Sequence, residues 1–214
     1  MRLLSRTKVI GLLLALALLP AAGGPASAHP LDEFYQVTFL TVGPSQVSFV
    51  VELYTGVLVA PQVLALIDTD ADDRISEAEA QGYIDRFLAD VTFQIDGVAA
   101  PLHTDSHEFS SPLDMRAGVG VLRMFLHADI PPAGPGQRQL FYKNNHAPVR
   151  SVYVVSAISE NPEQVQLAHQ QRDVLQQSLA LDFAVTAAAS AAGPPPAAQP
   201  AARRQEGDCF NEVG

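Results

Sequence analysis

Cysteine is almost missing from this chain: one, Cys209, stands among 214 residues. A lone thiol excludes an internal disulfide, so a domain of this sequence must rely on its core and on bound metal. Cys209 is left to pair between chains or to stand by. Basic residues are scarce too, with 13 Lys and Arg against 23 Asp and Glu. Setting aside Arg2, Arg6 and Lys8 at the extreme N-terminus leaves ten bases against the same 23 acids, a charge near −13. That balance weighs against nucleic acid and anionic lipid as partners and is compatible with divalent cations. No internal repeat, Gly-rich phosphate loop, Ser/His/Asp set or Cys/His set is visible, so no catalytic residue and no enzyme activity is expected.

The two ends read as separate from the fold. Residues 1–28 open with Arg2, Arg6 and Lys8, continue through the apolar run 9–19, and end in Ala26-Ser27-Ala28. A basic start, an apolar middle and an A-x-A ending are the layout of a signal peptide. The run falls short of the ~20 residues a membrane span needs, and no other run is longer. Cleavage after Ala28 and an exported protein (secreted, periplasmic or cell-surface) are expected, with an uncleaved anchor as the alternative. Residues 187–214 are rich in Ala and Pro and read as a disordered tail. Residues 29–186 remain, enough for one domain with a proper core.

Within that domain most segments alternate with period two. Residues 34–42 are aromatic and β-branched and stop at Gly43-Pro44-Ser45. Val47, Phe49, Val51 and Leu53 alternate, as do Val91, Phe93 and Ile95, which run into the hairpin signal Asp96-Gly97. Leu122, Met124, Leu126 and Ala128 share one face; segments near 138–143 and 149–158, then Leu179, Leu181, Phe183 and Val185, complete about eight strands. The fold class expected is mainly β, an antiparallel β-sandwich. Residues 161–177 are polar and read as a loop or a partial helix.

One segment breaks the strand pattern. From Asp68 to Glu79, carboxylates fall at positions 1, 3, 5 and 12 of a twelve-residue window: Asp68, Asp70, Asp72 and Glu79. Ca²⁺ is a hard cation that takes ~6–8 oxygens at ~2.3–2.6 Å, and this spacing wraps them around one centre in the EF-hand loop. Arg74 at position 7 would supply its backbone carbonyl, Ser76 at position 9 a water-mediated contact, and Glu79 both oxygens. Position 6 is Asp73 where Gly is usual; Asp is among the few other residues that visit φ > 0. Pro61 suits the first turn of a helix over 61–67, and Ala80, Tyr83, Ile84, Phe87 and Leu88 recur at helical spacing beyond the loop. One EF-hand helix-loop-helix over residues 61–90 is thus inserted between strands. The competing reading makes Ser76-x-x-Glu79 a capping box on an acidic turn.

Six histidines complete the candidates. Cleavage after Ala28 would put amine and imidazole together on His29, a chelate for Cu²⁺ or Ni²⁺. His103, His107, His127, His146 and His169 fall in polar or strand surroundings and read as surface residues.

Several segments together resemble the exported N-terminal domain of bacterial membrane proteins related to nickel/cobalt transporters. They are Ala28-His29-Pro30-Leu31, a strand ending near Glu52-Leu53, the stretch 61–88, residues 91–97 ending in Asp96-Gly97, Gln171-Arg172-Asp173, and residues 179–183. The resemblance implies an accessory domain beside a membrane transporter protein, free-standing or cut from a longer chain, with no transport activity of its own. The expected function is therefore an exported Ca²⁺-binding domain, structural or weakly sensory. The alternative is an accessory metal-handling domain associated with a nickel/cobalt or copper exporter and using His29.

Overall fold

The computed structural model describes residues 32–132 and 136–186. The expected signal peptide 1–28, His29, the tail 187–214 and Cys209 lie outside them. The described chain is mainly β. In order it forms β1 (Phe34–Val42), β2 (Gln46–Thr55), α1 (Ala60–Ile67), α2 (Glu77–Ala89), β3 (Val91–Ile95), β4 (Val98–Ala99), β5 (His103–Phe109), α3 (Pro112–Arg116), β6 (Val121–Asp129), β7 (Gly136–Asn144), β8 (Ser151–Ser159), β9 (Val165–Arg172) and β10 (Ser178–Val185).

The strands build two five-stranded sheets, ordered β5-β6-β2-β1-β8 and β4-β3-β7-β10-β9. Their inner faces are the alternating apolar sets expected from sequence. Val47, Phe49, Val51 and Leu53 of β2 and Leu122, Met124, Leu126 and Ala128 of β6 are all buried, as are Leu179, Leu181, Phe183 and Val185 of β10. Across the core Phe49 meets Phe93 edge-on, ring centres 5.0 Å apart, and Tyr142 at 6.0 Å. The Tyr142 hydroxyl and Thr38 Oγ1 share a hydrogen bond of 3.0 Å, so the one polar group each sheet brings to this contact is satisfied.

Three features depart from the sequence reading. β1 and β8 pair in parallel, not antiparallel. The chain reaches β8 from β7 in the other sheet, so no hairpin dictates direction. Residues 161–177 contain neither a bare loop nor a helix: Val165–Arg172 is β9, an edge strand with only Val165 buried. β5 is a second polar edge strand, and Asp105 is its extra residue where the register with β6 shifts between Thr104 and Ser106. At the β8 edge, Arg172 Nε donates to the Val155 carbonyl (2.7 Å) and Gln170 Nε2 to that of Ala157 (3.3 Å). Side chains of one sheet thus occupy the free edge of the other.

The expected hairpin at Asp96-Gly97 is present, both residues at positive φ (53° and 77°), as a two-residue turn of the primed type requires. Both helices lie where periodicity puts them. α1 starts at Ala60 with Pro61 in its first turn and buries Val63, Leu64 and Ile67. α2 is capped by Ser76 and buries Ala80, Tyr83, Ile84 and Phe87. These faces join the common core, which fixes the positions of the two ends of the segment between them.

His146 is not a surface residue: it is 1% exposed. Its ring lies between Tyr83 and Phe87 of α2, with centres 5.5 and 5.4 Å away. Nε2 shares a hydrogen bond of 3.0 Å with the Tyr83 hydroxyl, and Nδ1 lies 2.7 Å from Asp90 Oδ2 at the end of α2. Its carbonyl accepts from Gln36 Nε2 and the Tyr153 hydroxyl, and its N–H donates to Asn144 Oδ1. This network ties α2 to β1, β7 and β8. Burial holds the imidazole below its ordinary 6.5, against the opposing pull of Asp90.

Candidate metal centre

Between α1 and α2 the chain carries six carboxylates and one arginine in the twelve residues 68–79. Its entry is held by Ile67, fully buried, and by Asp68 N–H, which donates to the Leu64 carbonyl at 2.8 Å. Ile75, half-buried, packs against the core, and Ser76 then caps α2. The loop is therefore pinned at both ends and in its second half.

Three of the expected ligands come together. One carboxylate oxygen each from Asp68, Asp70 and Glu79 lie within 4.8 Å of one another. Oxygens at about 2.3–2.6 Å from a shared Ca²⁺ are at most about 5 Å apart, so this spacing fits the ion. The donors are all hard oxygens, which suits Ca²⁺ and not a soft metal. Asp68 is 7% exposed, while Asp70 is open to solvent.

Hydrogen bonds within the loop set this geometry. Asp68 Oδ1 accepts from Asp72 N (3.1 Å) and Oδ2 from Asp73 N (3.1 Å). Asp72 stands apart from the trio, because its Oδ1 turns to Arg74 N at 2.9 Å. Ala71 and Asp73 both have positive φ, 59° and 63°. The value at Asp73 is the one position 6 was expected to demand; that at Ala71 was not foreseen. Asp73 also has a partner invisible in the local sequence, Arg116 of α3, whose Nη2 lies 2.6 Å from Oδ1.

Glu79 does two jobs. Its Oε2 accepts from Ser76 N (2.9 Å) and Oγ (2.8 Å), and Ser76 Oγ accepts from Glu79 N, so the capping box is formed. Its Oε1 reaches back across the loop to Thr69 N (2.6 Å) and Oγ1 (3.1 Å). The bonds from the Ser76 backbone and side chain, then from Thr69, hold the carboxyl well below its ordinary range, at about 2. Glu79 is therefore an anion at any physiological pH. Both lone pairs of each oxygen are engaged here, but one donor to each is a hydroxyl, Ser76 Oγ or Thr69 Oγ1, which can rotate away to free a lone pair for a cation while the backbone N–H bonds stay. Arg74 and Ser76 lie on the same loop, Ser76 with its hydroxyl committed to the cap.

A different feature occupies the outer face of the β1–β2–β8 region. Tyr35, Val37, Phe39, Tyr54, Val57 and Val119 line a shallow apolar groove, with Glu52 at its side. Burial alone would raise the Glu52 carboxyl, but hydrogen bonds from Tyr54 and Arg123 outweigh it and leave it lowered. No helix among the described residues is long and apolar enough to cross a membrane. No family model, curated protein or solved structure matches the chain.

Proposed function

We propose that this is an exported β-sandwich domain with one inserted EF-hand, and that it binds Ca²⁺ through Asp68, Asp70 and Glu79. The observation that carries the reading is the convergence of those three oxygens within 4.8 Å on a loop anchored at both ends. The backbone carbonyl of Arg74 and water held by Ser76 complete the oxygen count, and Asp72 joins by turning from Arg74 N. The role is structural or weakly sensory: an ion here bridges the end of α1 and the start of α2, both of which are built into the core. A membrane transporter protein is the partner this reading expects, with export directed by residues 1–28.

Calorimetric titration of the whole chain with Ca²⁺ tests the proposal. One equivalent is expected, with Mg²⁺ weaker because it demands a tighter octahedron than this open loop offers. Glu79→Gln and Asp70→Asn should each remove most of the heat. Absence of heat at several millimolar Ca²⁺, or heat from both variants equal to the parent's, would leave the segment as a capped acidic turn.

A further inference from the structure

We infer that His103 and His127 form a second, separate metal site, open to solvent and suited to a divalent transition ion of the copper, nickel and zinc class. The two residues are 24 positions apart in sequence, and the antiparallel register of β5 and β6 makes them direct partners. Their ring centres are 5.3 Å apart and their planes differ by 32°. A metal–nitrogen bond is about 2.0–2.1 Å, and the imidazole centre lies about 1 Å further on, so two imidazoles sharing a tetrahedral ion have centres about 5 Å apart. The observed separation matches that of two imidazoles on a shared ion.

The second observation is the bulge beside them. Asp105 is the extra residue of β5, and an extra residue re-aims its side chain relative to the ladder. Its Oδ1 lies 2.6 Å from His127 Nδ1. A carboxylate on one ring nitrogen fixes the tautomer, leaves the other nitrogen as the free lone pair, and strengthens it as a ligand. Among the described residues, neither His103 nor Nε2 of His127 has any other side-chain hydrogen bond. Asp129, two residues after His127 and exposed, adds negative charge nearby.

The chemistry differs from that of the acidic loop. Imidazole nitrogen suits copper, nickel and zinc, whereas Ca²⁺ prefers oxygen. Cu²⁺ should bind tightest of the series. Two protein nitrogens leave the remaining positions to water, so the site is an open one that exchanges its ion with solvent.

The test is titration of the whole chain with Cu²⁺ at neutral pH. It is done in millimolar Ca²⁺, so that the acidic loop competes less, and in a His29→Ala background, so that the expected amine–imidazole chelate is removed. One equivalent should bind, with two imidazole nitrogens in the copper electron-spin spectrum. His103→Ala and His127→Ala should each remove one nitrogen from the spectrum and weaken binding by at least about tenfold. Asp105→Asn should keep both nitrogens and the same melting temperature while weakening binding by about 10–100-fold, the effect typical of an outer-shell carboxylate. A spectrum with a single nitrogen, or unchanged affinity in the His103→Ala/His127→Ala double variant, would overturn the inference and leave the rings as a stacked pair. The calcium proposal does not depend on either result, since it rests on other residues.

Discussion

The Asp73 carboxylate meets the Arg116 guanidinium at 2.6 Å, 43 residues further along the chain. The contact joins the tip of the acidic loop to α3. Asp73 is also one of the two loop residues at positive φ. One side chain thus carries a backbone strain and an ion pair that partly offsets it.

Substitution at Asp73 separates the two effects. Both partners of the pair are well exposed, so its loss costs no more than about 0.2–1 kcal/mol. Relief of the left-handed strain is worth about 1–2 kcal/mol. Asp73→Gly should therefore leave the domain as stable or slightly more so, and should tighten Ca²⁺ binding. Asp73→Ala loses the pair and keeps the strain, so it should lower stability. Paired urea melts, with and without Ca²⁺, measure both; a destabilised Asp73→Gly would show that the ion pair is the stronger term.

Calcium should also appear as heat resistance. A single loop with Asp at position 6 belongs with the weaker sites, with Kd on the order of 10⁻⁴–10⁻³ M. At about 1 mM Ca²⁺ and a Kd of about 10⁻⁴ M, linkage adds about 1.4 kcal/mol. For a domain of this size that is a rise in Tm of about 3–6 °C. Glu79→Gln keeps the side-chain volume and removes the anion, so differential scanning calorimetry should show most of the rise gone.

Two groups set opposite ends of the acid response. His146 is held below its ordinary 6.5 by burial, so the unfolded chain binds a proton more readily than the folded one. Stability is therefore full above that value and falls as pH drops below it. Glu79 is held at about 2 against an ordinary 4.5, so its contribution is complete above 4.5 and lost as pH falls towards 2. Tm should decline as pH falls below 6.5 in the parent, with a further fall as pH drops from 4.5 towards 2. His146→Gln should flatten the first slope whatever its own Tm, and an unchanged slope would assign the decline to other groups.

The contact between the sheets concentrates on Phe49, which is 1% exposed and touches both Phe93 and Tyr142. Phe49→Ala should cost about 3–5 kcal/mol, the range for a buried aromatic that leaves a cavity. Phe39, on the outer face of the same sheet and 47% exposed, is the control: Phe39→Ala should change the urea midpoint little.

What could be read in advance follows burial. Strands with one face in the core, such as β2, β6 and β10, announce themselves by alternation, and Pro61 and Ser76 mark both helix starts. β9 could not be found this way, because an edge strand with one buried residue has no apolar period to display. Nor does alternation carry direction, so the parallel pairing of β1 with β8 was invisible. The same holds around the candidate metal centre. Asp68, Asp70 and Glu79 lie on one short loop and their spacing is local. Asp73 with Arg116, His103 with His127, and His146 under α2 are joined by register or by packing. His146 was misread for a related reason: a polar neighbourhood in sequence, including Asn144 and Asn145, became a buried network once β7 and β8 folded over it.

The closure of the β8 edge has a wider consequence. A bare strand edge is an adhesive surface that any extended peptide can join. Here Arg172 and Gln170 already hold the carbonyls of Val155 and Ala157, so a neighbour would have to displace a guanidinium and an amide before adding a strand. That makes this edge a poor template for polymerisation. Whatever recognises it at this edge must read its side chains, not its backbone.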